Sequence, residues 1–240
     1  MKSLFQLISL VIILSVLAAC ASVPPPAQKT STGSWYQVIS GDTLYSIAWR
    51  YGLDYKKLAS WNRIAVNSII KPGQRLKLFQ PGSIKIAQPA TEPSKTTPAT
   101  ASKLLTESAQ PTVTSAVPSR WIWPVSGIVL NTFSVNKVDR RGIDIAGKLG
   151  QPVYAIADGK VVYSGNGLSG YGNLIIIKHS DIYLSAYAYC QQRLVKEGMQ
   201  IKAGTVIATM GQHKTTIARL HFEIRKNGEP VDPLKYLPKR

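Results

Sequence analysis

The sequence predicts two folded modules: a small α+β unit of strand-helix-helix-strand, then a larger, mostly antiparallel all-β domain, joined by a disordered linker. Three observations carry this. Leu44, Ile47, Ala48 and Tyr51 recur at helical spacing between two short alternating stretches. From Trp121 onward, glycines punctuate short alternating runs and no long helical period develops. Between them, residues 80–120 are Pro, Thr, Ser and Ala with scattered Lys, a composition with too little apolar surface to fold. As a flexible coil such a segment averages roughly 35 Å end to end.

The N-terminus predicts the compartment. Lys2 precedes an apolar run from Leu4 to Ala19, a length suited to a signal peptide (residues 1–19) and short for a spanning helix with two flanks. It ends in Leu17-Ala18-Ala19-Cys20, which resembles the bacterial lipobox, a site cut before the cysteine whose thiol then carries lipid. That resemblance implies a lipidated Cys20, a tether over residues 20–34 and a membrane held through acyl chains at about 0.8 kcal/mol per buried CH₂. Ala21 resembles outer-membrane sorting, so a periplasm-facing, lipid-anchored protein is expected. The net charge is +17, from 29 Lys and Arg against 12 Asp and Glu, and the excess is spread over both modules. In an exported chain this excludes nucleic acid as a partner and points to wall carboxylates and lipid phosphates. Cys190 is then the one unlipidated cysteine, expected as a buried free thiol.

The first module spans residues 35–79. Tyr36-Gln37-Val38-Ile39 alternates as a strand, Gly41-Asp42 supplies a turn and an N-cap, Gly52 stops the first helix and Asp54 caps the second. Tyr55, Leu58 and Trp61 give that second helix an apolar side, and Leu76 and Leu78 mark a closing strand after Lys71-Pro72-Gly73. Tyr36-x-Val38, Gly41-Asp42-Thr43-Leu44, Leu58-x-x-Trp61-Asn62 and Ile70-x-Pro72-Gly73-Gln74 resemble the LysM module. The resemblance implies binding of N-acetylglucosamine-containing peptidoglycan strands by Gly41, Asp42, Thr43 and Leu44 together with Ser68, Ile69, Ile70 and Gly73.

Residues 121–240 form the β domain. Gly142-Ile143-Asp144, Gly150-x-Pro152-Val153, Asp158-Gly159-x-Val161, Gly170-Tyr171-Gly172-Asn173 and Arg219-Leu220-His221-Phe222-Glu223 resemble the LytM domain, the lysostaphin-type zinc endopeptidase fold. Active members of that family hold zinc with a His-x-x-x-Asp pair and the second histidine of His-x-His, and use two further histidines to move protons. The corresponding positions here are Arg140, Asp144, Tyr189, Arg219 and His221, so only Asp144 and His221 remain. Zinc needs three protein ligands and an open place for water. No metal, no cofactor and no peptidase activity are therefore expected. His179 is expected to be structural or solvent-facing, and His213, in the loop Gly211–Lys214, to stay out of the groove. Alternation along the strand puts Arg219 and His221 on one face and Leu220 and Phe222 on the other.

The order of lipobox, LysM, low-complexity linker and LytM domain without its ligands resembles NlpD-like lipoproteins. The resemblance implies a non-catalytic activator of N-acetylmuramoyl-L-alanine amidases, acting in septal wall splitting through its former active-site groove. Arg140, Arg141, Arg219 and Arg225 then meet carboxylates of the partner, while Tyr171, Tyr189 and His221 pack on it. For Tyr171 and Tyr189 a core role stays open, and for Arg225 an internal pair with Glu223 or Asp232. A wall-binding tether without an enzyme partner and a weak zinc endopeptidase with atypical ligands are the alternative readings.

Overall fold

The computed structural model describes residues 35–80, 121–137, 140–212 and 216–240, all within one compact unit. The signal peptide, Cys20, the tether, the linker and His213 lie outside the described residues.

The first module runs β1 (Trp35–Gln37), α1 (Leu44–Tyr51), α2 (Tyr55–Trp61) and β2 (Arg75–Lys77). The two strands are antiparallel, with Tyr36 opposite Leu76. Ile47, Leu58 and Leu76 are fully buried between helices and hairpin. Gly52 ends α1 in the left-handed region at φ 64°, as a C-terminal stop requires, and Asp54 accepts from the amides of Lys56 and Lys57 to cap α2. One expected cap is corrected. Thr43, not Asp42, caps α1, through a reciprocal pair of bonds with Ser46. Asp42 is drawn back toward β1 instead, where it accepts from the Tyr36 hydroxyl, the Ile39 amide and Arg50. Asn62 closes the module by donating to Leu58 O and Lys77 O while accepting from Lys77 N. Asn62→Ala should therefore cost about 2 kcal/mol in thermal unfolding, since two backbone groups at the chain crossing lose their partner. An unchanged melting curve would refute that role.

The second module is an antiparallel sheet. Its strands are β3 (Val129–Asn131), β4 (Ile143–Ala146), β5 (Pro152–Tyr154), β6 (Gly159–Gly165), β7 (Asn173–Lys178), β8 (Tyr183–Arg193), β9 (Gln200–Ile201), β10 (Val206–Met210), β11 (Arg219–Lys226) and β12 (Glu229–Val231). The main path is β3-β4-β11-β8-β7-β6-β9, with β10 bridging β5 to the far end of β8 and β12 on β11. A 3-10 turn at Pro233–Lys235 follows.

Both faces of the sheet are covered, and each takes alternate residues of the same strands. One face carries Ile143, Ile145, Leu220, Phe222 and Ile224 into a core shared with Trp121 and Ile207. His179 stands on this side: its ring bonds Asp158 O and Ser185 Oγ, and burial depresses its pKa to about 4, so it is a neutral structural histidine. Cys190 is free and buried, and burial pushes its thiol up to about 12, which leaves it inert. The opposite face carries Leu174, Ile176, Leu184, Ala186 and Ala188, and these share one apolar cluster with the first module's core.

Candidate functional site

Register builds the site. On β11, His221 lies opposite Asp144 of β4 and Ala188 of β8, Glu223 opposite Ala186, and Arg225 opposite Leu184. Residues paired across strands share a face, so Asp144, His221, Glu223 and Arg225 all project from the side away from Leu220 and Phe222.

There they form a line of alternating charge. Arg219 Nη1 lies 3.6 Å from Asp144 Oδ2, and Asp144 Oδ1 lies 2.7 Å from His221 Nδ1. His221 Nε2 lies 3.2 Å from Glu223 Oε1, and Arg225 donates through Nε and Nη2 to Glu223 Oε2 at 3.4 and 3.3 Å. Asn131 adds a bond to Asp144 Oδ2 at 2.9 Å, and the Tyr171 hydroxyl adds one to Glu223 Oε1 at 2.8 Å. Arg140 reaches the line indirectly, donating to Asn131 Oδ1 at 3.4 Å.

Burial opposes charge on His221, but the hydrogen bonds and charges of Asp144 and Glu223 outweigh it and raise its pKa to about 9. Both ring nitrogens lie within hydrogen-bond distance of carboxylates, an arrangement that favours the doubly protonated ring. Burial likewise opposes ionisation of Glu223, yet Arg225 and then His221 hold its pKa down to about 2. Asp144 is also lowered: desolvation works against this, and the bonds from His221 and Asn131 prevail.

The resemblance implies zinc at this place, and the residues present do not fit it. A zinc-bound histidine must offer a lone pair, and both nitrogens of His221 are turned to the carboxylates of Asp144 and Glu223. Arg219 already occupies the other side of Asp144. Among the described residues, no group of three or more His, Cys, Asp or Glu converges as a ligand set. The line of charges supplies internally the positive charge that a metal would bring.

The remaining expected residues divide into two ends. At one end Arg219, Arg140 and Tyr189 are half-buried. Tyr189 takes φ 63°, a left-handed conformation inside a register shift of β8, and this bulge turns its ring to within 5.5 Å of the His221 ring and beneath the Arg219 guanidinium. At the other end Tyr171 is half-buried and Arg225 is 1% exposed, its guanidinium 3.6 Å from the centre of the Trp49 ring and bonded to Trp49 O. Of the two pairings open for Arg225, the structure has Glu223. Glu223 is the residue whose centrality sequence reasoning missed, although its spacing of two from both His221 and Arg225 signals it.

On the first module, Gly41 is exposed at φ 83° and borders a cavity of about 620 Å³. Ile39 to Asp42 line one side of it, and Gly165 to Gly167, Arg193, Lys196 and Glu197 the other. Leu44 is buried in the core and so offers no surface, whereas Ile69 is 92% exposed. Ser68 is exposed too, Ile70 is buried, and Gly73 donates to Val38 O, tying the second loop to the end of β1.

These features define a class: a LysM module followed by a zinc-peptidase sheet whose cleft is filled by an internal salt-bridge line. Family models agree, with the LysM domain matching residues 36–79 and Peptidase family M23 matching residues 138–233. The chain is 42% identical to the lipoprotein NlpD/LppB homolog of Pseudomonas aeruginosa, over 95% of this chain and 90% of that one. It is 42% identical to the uncharacterized lipoprotein YgeR of Escherichia coli (96% and 93% covered) and 40% identical to the murein hydrolase activator NlpD of the same organism (87% and 69%). The chain belongs to the NlpD/LppB family of lipoproteins.

Proposed function

We propose that this protein is a non-catalytic, peptidoglycan-binding lipoprotein that activates N-acetylmuramoyl-L-alanine amidases for septal wall splitting. The observation that carries the reading is the engaged His221: its two nitrogens are bonded to Asp144 and Glu223, and Arg219 stands against Asp144, so the remnant ligands are occupied with one another and the cleft serves recognition. The relative named a murein hydrolase activator supports the same conclusion. The exposed end of the cleft, with Arg140, Arg219 and Tyr189, offers cations and an aromatic ring to acidic side chains of the amidase. Arg141 points instead toward the first module, where a Cβ at Gly52 would stand 3.8 Å from its Nη1. The LysM turn at Gly41, with Thr43 and the exposed Ser68, Ile69 and Gly73, holds the glycan strand, and the cavity between that turn and residues 165–167 is of a size that takes a small saccharide. Cys20 carries the lipid and places the protein on the periplasmic side of the outer membrane.

The test is solubilisation of dye-labelled sacculi by the organism's amidases with and without the protein. Arg219→Glu and Arg140→Glu should each lower stimulation at least about tenfold, since a reversed charge repels the acidic surface it formerly met. The melting temperature of Arg140→Glu should shift little, because that side chain is half-exposed and bonds only Asn131 among the described residues, whereas Arg219→Glu sets a carboxylate beside Asp144 and should lower it. Stimulation equal to wild type would overturn the reading.

A further inference from the structure

The sealed end of the site face is covered by the chain's own LysM module. Trp49, at the C-terminal end of α1, lies flat on the Arg225 guanidinium, and Arg225 Nη1 donates to Trp49 O at 3.0 Å. Around this centre the contact is apolar, with Ile47, Leu58 and Trp49 in one cluster with Ile176, Leu184 and Ala186. At the rim it turns polar: Arg50 donates to Gly167 O at 3.2 Å, Tyr55 donates to Asp181 O at 3.0 Å, and Lys178 Nζ stands 5.6 Å from the centre of the Tyr55 ring. Gly228 shows how closely the backbones meet, because a Cβ there would stand 2.6 Å from Asp54 Cα. An aromatic-arginine anchor inside an apolar patch with a polar rim is the anatomy of a protein interface. Arg225 has a particular taste, since it receives a helix C-terminal carbonyl under an aromatic ring, where a cation meets the negative end of the helix dipole.

We infer that the LysM module is a removable lid on the partner-docking face, and that an amidase helix ending over Arg225 competes with α1 for the same seat. This rests on the activator reading above. In the closed state the partner meets only the Arg219 end; Tyr171, Glu223 and Arg225 become available when the module lifts. The linker sets the balance. A covalent connection of this length holds the two modules at an effective concentration of roughly 1 mM. With a module affinity near ~10 µM, about one chain in a hundred is then open, whereas untethered modules at ~1 µM are mostly apart.

The experiment inserts a protease site within residues 81–120 of the soluble chain starting at Ala21, cuts it, and follows two readouts. In gel filtration the halves should co-elute at about 100 µM and separate at about 1 µM, and Trp49→Ala should separate them at both. In the sacculus assay the cut chain at about 1 µM should stimulate the amidases at least about tenfold more than the intact chain. Halves that separate at every concentration, or cut and intact chains of equal potency, overturn the lid. If no form stimulates any amidase, the activator reading fails, and the elution arm alone decides whether the module occupies the face.

Discussion

Glu223→Ala should destabilise the protein by about 3–5 kcal/mol, the cost of breaking a buried ion pair and leaving its partners uncompensated. Glu223 is wholly enclosed and accepts from Tyr171, His221 and Arg225. Its removal leaves Arg225 without its carboxylate, His221 with one of its two partners and the part-buried Tyr171 hydroxyl without an acceptor. At roughly 2–4 °C per kcal/mol for a unit of this size, the melting temperature should fall by about 6–20 °C. Glu223→Gln keeps the shape and the bond from Tyr171, so its loss should be smaller. A shift below about 2 °C for the alanine variant would show that the line of charges does not form. The same geometry corrects an expectation about Arg225. As a free groove cation it would tolerate reversal, but here Arg225→Glu places a second carboxylate against Glu223 under Trp49, and the chain should lose its fold along with any stimulation.

Stability should also fall as pH rises from 6.5 through 9. The folded His221 pKa of about 9 lies above its unfolded value of 6.5, so the native state holds the proton more tightly. Its contribution is therefore complete below pH 6.5 and is lost as pH rises through about 9. Glu223 has the opposite sign: its folded value of about 2 lies below 4.5, so its contribution is present above pH 4.5 and disappears as pH falls through about 2. Asp144, also lowered, acts in the acid direction with Glu223. Between pH 6 and pH 10 the expected loss is on the order of 2–3 kcal/mol in urea unfolding. His221→Gln should flatten that alkaline slope whatever its effect at pH 6. A wild-type profile that is level from pH 6 to 10 would mean that His221 is neutral in the folded state, which would reopen it as a ligand.

Taken together, the two predictions separate a structural use of the zinc-site remnants from a catalytic one. A proton-transfer histidine needs a pKa near working pH and one free nitrogen. His221 has both nitrogens engaged by carboxylates, and these favour its charged form. What remains for the cleft is a fixed arrangement of charge: Arg219 and Arg140 reach solvent at one end and Arg225 is covered by Trp49 at the other.

Local pattern alone determined much of this protein. The alternation of Arg219, Leu220, His221 and Phe222 fixed which side chains share a face, because a strand repeats every two residues. Helical spacing with Gly52 and Asp54 located α1 and α2, and the substitution of three of the five family positions, Arg140, Tyr189 and Arg219, raised the expectation of an incomplete zinc site. Other features depended on atoms far apart in sequence. Asp42 and Thr43 are adjacent and both are good caps, and only the partners offered by Tyr36 and Arg50 decided between them. Asp144 and His221 are 77 residues apart, and their 2.7 Å contact follows from pairing β4 with β11. The tertiary structure alone placed Trp49 on Arg225. Leu174, Ile176, Leu184 and Ala186 read from the sequence as one more buried strand face, and apolar side chains carry no label for what buries them, since the hydrophobic effect is non-directional and any complementary surface will serve.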